Sequence, residues 1–199
     1  MSNKETLQQN NTKLNTNNTD LKTVLNKVNN LPARSTIEDS ILDRSITELV
    51  NDRITTIGNY ALQASKSLTK LIVPNVTRLE AYSISGCPAL QEIDFSSVEF
   101  IGQQALASLQ IKKLVLPKVQ TFYVQSFLAA TTEAIVITQS ENVASMVNVS
   151  AFNASSIAKG TGFIYVPDNL VESYKSATNW STYAEQIKGL SELPDEYKE

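Results

Sequence analysis

From Ile54 onward the sequence repeats itself at intervals of 21 or 22 residues, and this periodicity restricts the fold more than any other feature. The units occupy 54–75, 76–97, 98–118 and 119–139. Their first residues are Ile54, Val76, Val98 and Val119. Three further on stand Ile57, Leu79, Ile101 and Phe122, and eight from the start stand Leu62, Ile84, Leu106 and Phe127. Each unit closes on a short alternating word: "KLIVPN", "EIDFSS", "KLVLPK" and "AIVITQ", with "FIYVPD" following at 163–168. Alternation turns Leu71 and Val73, Ile93 and Phe95, Leu114 and Leu116, and Ile135 and Ile137 to one side. A unit this short cannot bury its own apolar row, whereas stacked units share one continuous core. The pattern therefore predicts a solenoid of short parallel strands about 4.8 Å apart, joined by irregular or short helical returns. "IGNYAL" (57–62) and "IGQQAL" (101–106) make the turns, and Gly58 and Gly102 are expected to adopt φ > 0.

These segments, with the "L-x-x-L-x-L-P" words, resemble BspA-like leucine-rich repeats, whose units carry an "I-G-x-x-A-F" piece followed by a short strand. The resemblance covers 46–169; "FYVQSF" in the fourth unit departs from it, and 140–162 is a lengthened, degenerate unit. Both ends read as caps. "SITELVNDR" (45–53) places Ile46 and Leu49 22 residues before Leu68 and Leu71, as a partial first repeat would. The stretch from Asp168–Asn169 to Gly189 is expected to be one amphipathic capping helix within a closing segment 170–199. Leu170, Val171, Tyr174, Ala177, Trp180, Tyr183 and Ile187 would cover the end of the core. The carboxylates that follow read as a solvated acidic tail.

Residues 1–33 follow a different rule. Leu7, Leu14, Leu21 and Val28 recur every seven residues, and Asn10, Asn17, Val24 and Leu31 follow three behind. This is a heptad a row with a half-polar d row, an N-terminal α-helical coiled coil ended by Pro32. An Asn-rich tail without fixed structure is the plainer alternative. The asparagine layers resemble those in the stalks of trimeric fibres and adhesins, which implies a homotrimer. Residues 34–45 read as a linker.

The remaining composition mainly excludes. Histidine is absent and Cys87 is the only cysteine, so an internal disulfide, a Cys/His zinc site and histidine-dependent catalysis are ruled out. Cys87 recurs at a repeat position and reads as a small buried hydrophobe. No catalytic, phosphate-binding, cofactor-binding or calcium-binding motif is present, so an enzyme is not expected. A formal charge of −3 argues against nucleic acid as partner. The longest apolar runs fall far short of the roughly 20 residues a membrane helix needs. The N-terminus lacks a secretory h-region.

What remains is the strand face turned away from the core: Lys70 and Ile72, Asp94, Lys113 and Val115, Val136, Phe163 and Tyr165. Lys70, Glu92 and Lys113 alternate in charge across neighbouring strands. Exposed β-branched and aromatic residues in such number mark an interface. Three readings are open: a sister protomer, a host surface protein or glycan, or residues merely suited to parallel strands and shaded by loops. A helical segment ahead of BspA-like repeats resembles small virion proteins of bacteriophages. That resemblance implies a structural head or tail fibre, made in the host cytoplasm and carried in the virion. Its stem would join other virion proteins, and its solenoid would adhere to the host surface. The alternative is a bacterial BspA-like surface or scaffold protein.

Overall fold

The computed structural model describes Lys13, Thr36–Ile37 and residues 45–138 and 141–198. The chain divides into two units, Met1–Arg34 and Ser35–Glu199. The heptad positions Leu7, Asn10, Leu14, Asn17, Leu21, Val24, Val28 and Leu31, and with them the expected coiled coil, lie outside the described residues.

Within the second unit each repeat forms one coil that contributes a strand to each of two sides. On the first side, β1 (Thr36–Ile37), β3 (Thr56–Ile57), β5 (Arg78–Leu79), β7 (Phe100–Ile101), β9 (Thr121–Phe122) and β11 (Ser145–Met146) make one parallel sheet. Its register stacks Ile57, Leu79, Ile101, Phe122 and Met146, all buried. β1 falls inside the segment expected to be a linker. Its Thr-Ile word matches Thr56–Ile57, and the two pair directly.

On the second side the repeated words form two sheets. β2 (Glu48–Val50), β4 (Lys70–Ile72) and β6 (Glu92–Asp94) make the first. β8 (Lys113–Val115), β10 (Ala134–Val136), β12 (Phe163–Val166) and β13 (Ile187–Gly189) make the second. Leu71, Val73, Leu114, Leu116, Ile135, Ile137, Ile164 and Val166 are buried, as their alternation requires. The pairing stops between β6 and β8, where units of 22 residues give way to units of 21. The missing residue lies between Leu109 and Leu114, and Ile93, beside the break, is only half-buried.

The third side consists of turns that are themselves hydrogen-bonded from coil to coil. N–H groups of Tyr60, Leu62 and Ala64 donate to the carbonyls of Ala81, Ser83 and Ser85 at 2.8–3.0 Å. Tyr82, Ile84 and Gly86 donate likewise to Gln103, Ala105 and Ala107. Two residues of each turn, four apart, take left-handed backbone. Tyr60, Tyr82, Gln104 and Gln125 (φ 59, 57, 50 and 53°) form one such column, and Ala64, Gly86, Ser108 and Ala129 another. Left-handed geometry costs an L-residue roughly 1–2 kcal/mol, which the inter-coil bonds of otherwise unpaired amides offset. Neither Gly58 nor Gly102 lies in that region, contrary to the expectation. Gly102 is needed for close approach instead: a Cβ there would stand 2.8 Å from the Leu79 carbonyl oxygen. Cys87 is buried, and its Sγ donates to the Leu62 carbonyl at 3.1 Å.

The expected long C-terminal helix is broken. Asp168–Leu170 is a 3-10 turn, Val171–Ser176 a short α-helix and Trp180–Gln186 a kinked 3-10 segment, before β13 rejoins the sheet beside β12. The helix ends where Ala177 turns extended, and Asn179 takes φ 66°. The break aims Tyr174, Trp180 and Tyr183 inward together. Trp180 meets Phe122 and Tyr174 edge-on at 5.4 and 5.0 Å, and Tyr183 meets Phe152 at 5.4 Å. Such pairs contribute about 0.5–1.5 kcal/mol each beyond burial. Their polar tips hold the lengthened unit: Trp180 Nε1 donates to the Ala144 carbonyl at 2.7 Å and Tyr183 Oη to the Val149 carbonyl at 2.5 Å. Asn179 Nδ2 donates to the Met146 carbonyl at 2.7 Å.

Candidate functional site

The outward residues of the repeated words form two rows across the second side. One contains Glu48, Lys70 and Glu92, the other Val50, Ile72 and Asp94, by strand register. Lys70 donates to Glu92 at 2.9 Å, and this bond, aided by the nearby Glu48 charge, raises the lysine pKa above its ordinary value. Asp94 turns back on its own chain, its Oδ1 accepting from Ser96 N–H at 2.9 Å. Val50 and Val115 stand 59% and 39% exposed, and Ile72 is half-buried. Val50 was legible from the repeat, since it lies 22 residues before Ile72.

The far half of the same face is not open. Val136 and Tyr165, expected among the exposed residues, do point away from the solenoid core, but each is only 3% exposed. With Ala134 they form a separate buried cluster against which Phe163, Leu190, Leu193 and Tyr197 pack. The segment that read as a solvated tail therefore folds over β10 and β12. Its apolar residues at 190, 193 and 197 alternate with the carboxylates Glu192, Asp195 and Glu196, which hid them in an acidic run.

Polar contacts fix this segment at its far end. Lys113 Nζ donates to the Tyr197 carbonyl at 3.0 Å, and Tyr197 Oη donates to Glu133 Oε2 at 2.7 Å. The carboxylate acceptor pushes the Tyr197 pKa up to about 12. Burial, with the charges of Glu192 and Glu196, also raises that of Tyr165. Lys188 Nζ sits 4.1 Å over the Phe163 ring, a cation–π contact. Thus Lys70, Ile72, Asp94 and Val115 line an open surface, whereas Val136 and Tyr165 lie under the terminal segment with Lys113 and Phe163 at its margin.

A family model for the BspA type leucine rich repeat region matches residues 55–177 in six copies. The chain belongs to this family. Two of its features carry most of the geometry above: the BspA-type strand words set the outward rows, and the step in repeat length marks where their pairing stops. The chain matches none of the curated proteins compared with it.

Away from the strand face the BspA-type repeats carry two further side-chain arrays. Tyr60 and Tyr82 stack at 5.1 Å, and Gln104 Nε2 donates to Gln125 Oε1 at 2.9 Å in the same left-handed column. On the first side Arg78 lies 4.1 Å over Phe100 while pairing with Glu80 at 2.8 Å. Among the described residues no three His, Cys, Asp or Glu side chains converge as metal ligands would. What the arrangement offers chemically is contact: apolar side chains and fixed charges on a rigid parallel face.

Proposed function

We propose that this protein is a display and interaction module that acts by binding, not by catalysis. The open outer face of β2, β4 and β6, with the adjoining Val115 of β8, carries the reading, because Val50, Ile72 and Val115 leave apolar surface in water on an otherwise well-buried stack. Membership of the BspA-type family supports a contact role. Our specific form of the proposal is a bacteriophage virion fibre, a homotrimer whose stem (1–33) joins other virion proteins and whose repeats adhere to a host surface protein or glycan. The heptad row of residues 7–31 supports a multivalent arrangement, in which several weak contacts act together. The aromatic cluster of Tyr174, Trp180 and Tyr183 would serve as the cap of the stack. The second reading, a bacterial BspA-like surface or scaffold protein, rests on the same open face without the stem.

Light scattering on the full chain tests the specific form. We expect a particle of three chain masses that falls to one when Leu7, Leu14 and Leu21 are changed to Asp. A particle of a single 21.9 kDa chain before any substitution sinks the fibre proposal.

A further inference from the structure

The outer face is divided by charge as well as by cover. Its covered half carries Lys113 and Lys188 with the carboxylate Glu133, and the segment lying on it is acidic and apolar. Leu190, Leu193 and Tyr197 seat on Ala134, Val136 and Tyr165, while Glu192, Asp195 and Glu196 accompany them. The molecule thus displays a binding mode its own face accepts: spaced apolar anchors, fixed by Lys113 donating to the Tyr197 carbonyl and Tyr197 Oη donating to Glu133. The open half, in the neighbouring sheet, carries a net negative charge instead. The outward residues of β2, β4 and β6 comprise three carboxylates (Glu48, Glu92, Asp94) and one ammonium (Lys70), a count of +1 − 3 = −2. Beside them stand Val50 and Ile72, with Val115 across the break on β8, and the terminal segment does not lie over the two exposed valines.

We propose that this open half is a docking surface for an extended, basic and apolar segment of a protein partner, seated as the terminal segment is but with its charges inverted. The proposal rests on the reading of the face as an interaction surface and names the chemistry of what it takes. The occupied sheet shows how an extended segment seats on such strand words, and the negative charge of the open sheet selects the partner's sign. An acidic segment like the chain's own would meet Glu48, Glu92 and Asp94 as like charges. Specificity therefore separates the two halves.

The test uses two synthetic peptides on the full-length protein. One has the sequence of residues 189–199; the other replaces its Glu192, Asp195, Glu196 and Glu199 counterparts with lysine. Methyl NMR shifts of Val50, Ile72 and Val115 report binding at the open half. We expect the lysine peptide to move these signals and to bind at least tenfold more tightly than the native-charge peptide. Glu48→Lys should weaken it at least threefold, and so should Val50→Ser, which alters no charge; thermal midpoints confirm that both variants stay folded. Equal affinity for the two peptides, or an unchanged affinity in Val50→Ser, overturns the proposal. The fibre reading fails separately: a single-chain particle that still discriminates the peptides keeps the docking surface and loses the trimer. Conversely, a trimer that ignores the lysine peptide loses only the docking surface.

Discussion

Replacing Val136 with lysine should harm the protein, whereas the same change at Val50 should not, although both residues point outward from repeated words. Val136 is 3% exposed beneath the terminal segment, and Val50 is 59% exposed. A lysine ammonium at 136 cannot stay under Tyr165, Leu193 and Tyr197 without a partner, because an unpaired buried charge costs several kcal/mol. The cheapest escape is to lift the terminal segment. Leu190, Leu193 and Tyr197 are each only partly buried, so lifting them forfeits roughly half of full side-chain burial, about 1 kcal/mol apiece and about 3 kcal/mol together. The hydrogen bonds to Glu133 and Lys113 add at most about 1 kcal/mol each, net of exchange with water. Val136→Lys should therefore expose 190–198 at a cost of about 3–5 kcal/mol, leaving the underlying coils paired. Val50→Lys should stay within about 0.5 kcal/mol of the parent. Hydrogen exchange resolves the two, with amides of 190–198 losing protection in Val136→Lys alone. If that variant protects these amides as well as the parent does, the terminal segment contributes nothing to the cover of Val136 and the reasoning is wrong.

Two further outcomes follow from single contacts. The Tyr197 pKa is raised to about 12 in the folded chain, so the neutral phenol donating to Glu133 is the favoured form there. Its contribution is fully present below the ordinary tyrosine pKa near 10 and is lost as pH rises through about 12. Proteolysis of 190–198 should accelerate within that window, and Tyr197→Phe should remove the pH step. Gly102→Ala would put a Cβ 2.8 Å from the Leu79 carbonyl oxygen, part of the backbone and unable to swing away. We expect a loss of about 1–3 kcal/mol in urea unfolding; an unchanged midpoint would show that the coils separate there without cost.

The columns of the solenoid were legible because each is a spacing of one residue type, and the column of Ile57, Leu79, Ile101 and Phe122 is buried throughout. The rows facing outward were legible in direction but not in exposure. Alternation says that Val136 points away from the core, but it cannot show that residues 190–197, more than fifty positions later, return to cover it. The turns misled for a different reason. Gly58 and Gly102 suggested positive φ, yet that geometry falls on Tyr60, Ala64, Tyr82 and Gln104, residues with no intrinsic preference for it. There the inter-coil hydrogen bonds override local propensity, and a neighbouring backbone fixes Gly102. The helix expected from Asp168 to Gly189 failed at Ala177–Asn179 because three large rings, Tyr174, Trp180 and Tyr183, had to reach the same aromatic cluster.

The hydrogen bonds on the turn side run one way, from the N–H of a coil to the carbonyl of its successor, from Tyr60 through Ala129. A stack so wired is polar: carbonyls face one end and N–H groups the other, each bond aligned with the next. Two such stacks joined end to end along this side must meet head to tail, since a head-to-head join would set acceptors against acceptors. Head-to-tail joins do not close upon themselves as a two-fold pair does. Any continuation of the turn ladder from copy to copy would therefore be a ring or an open filament, never a two-fold pair.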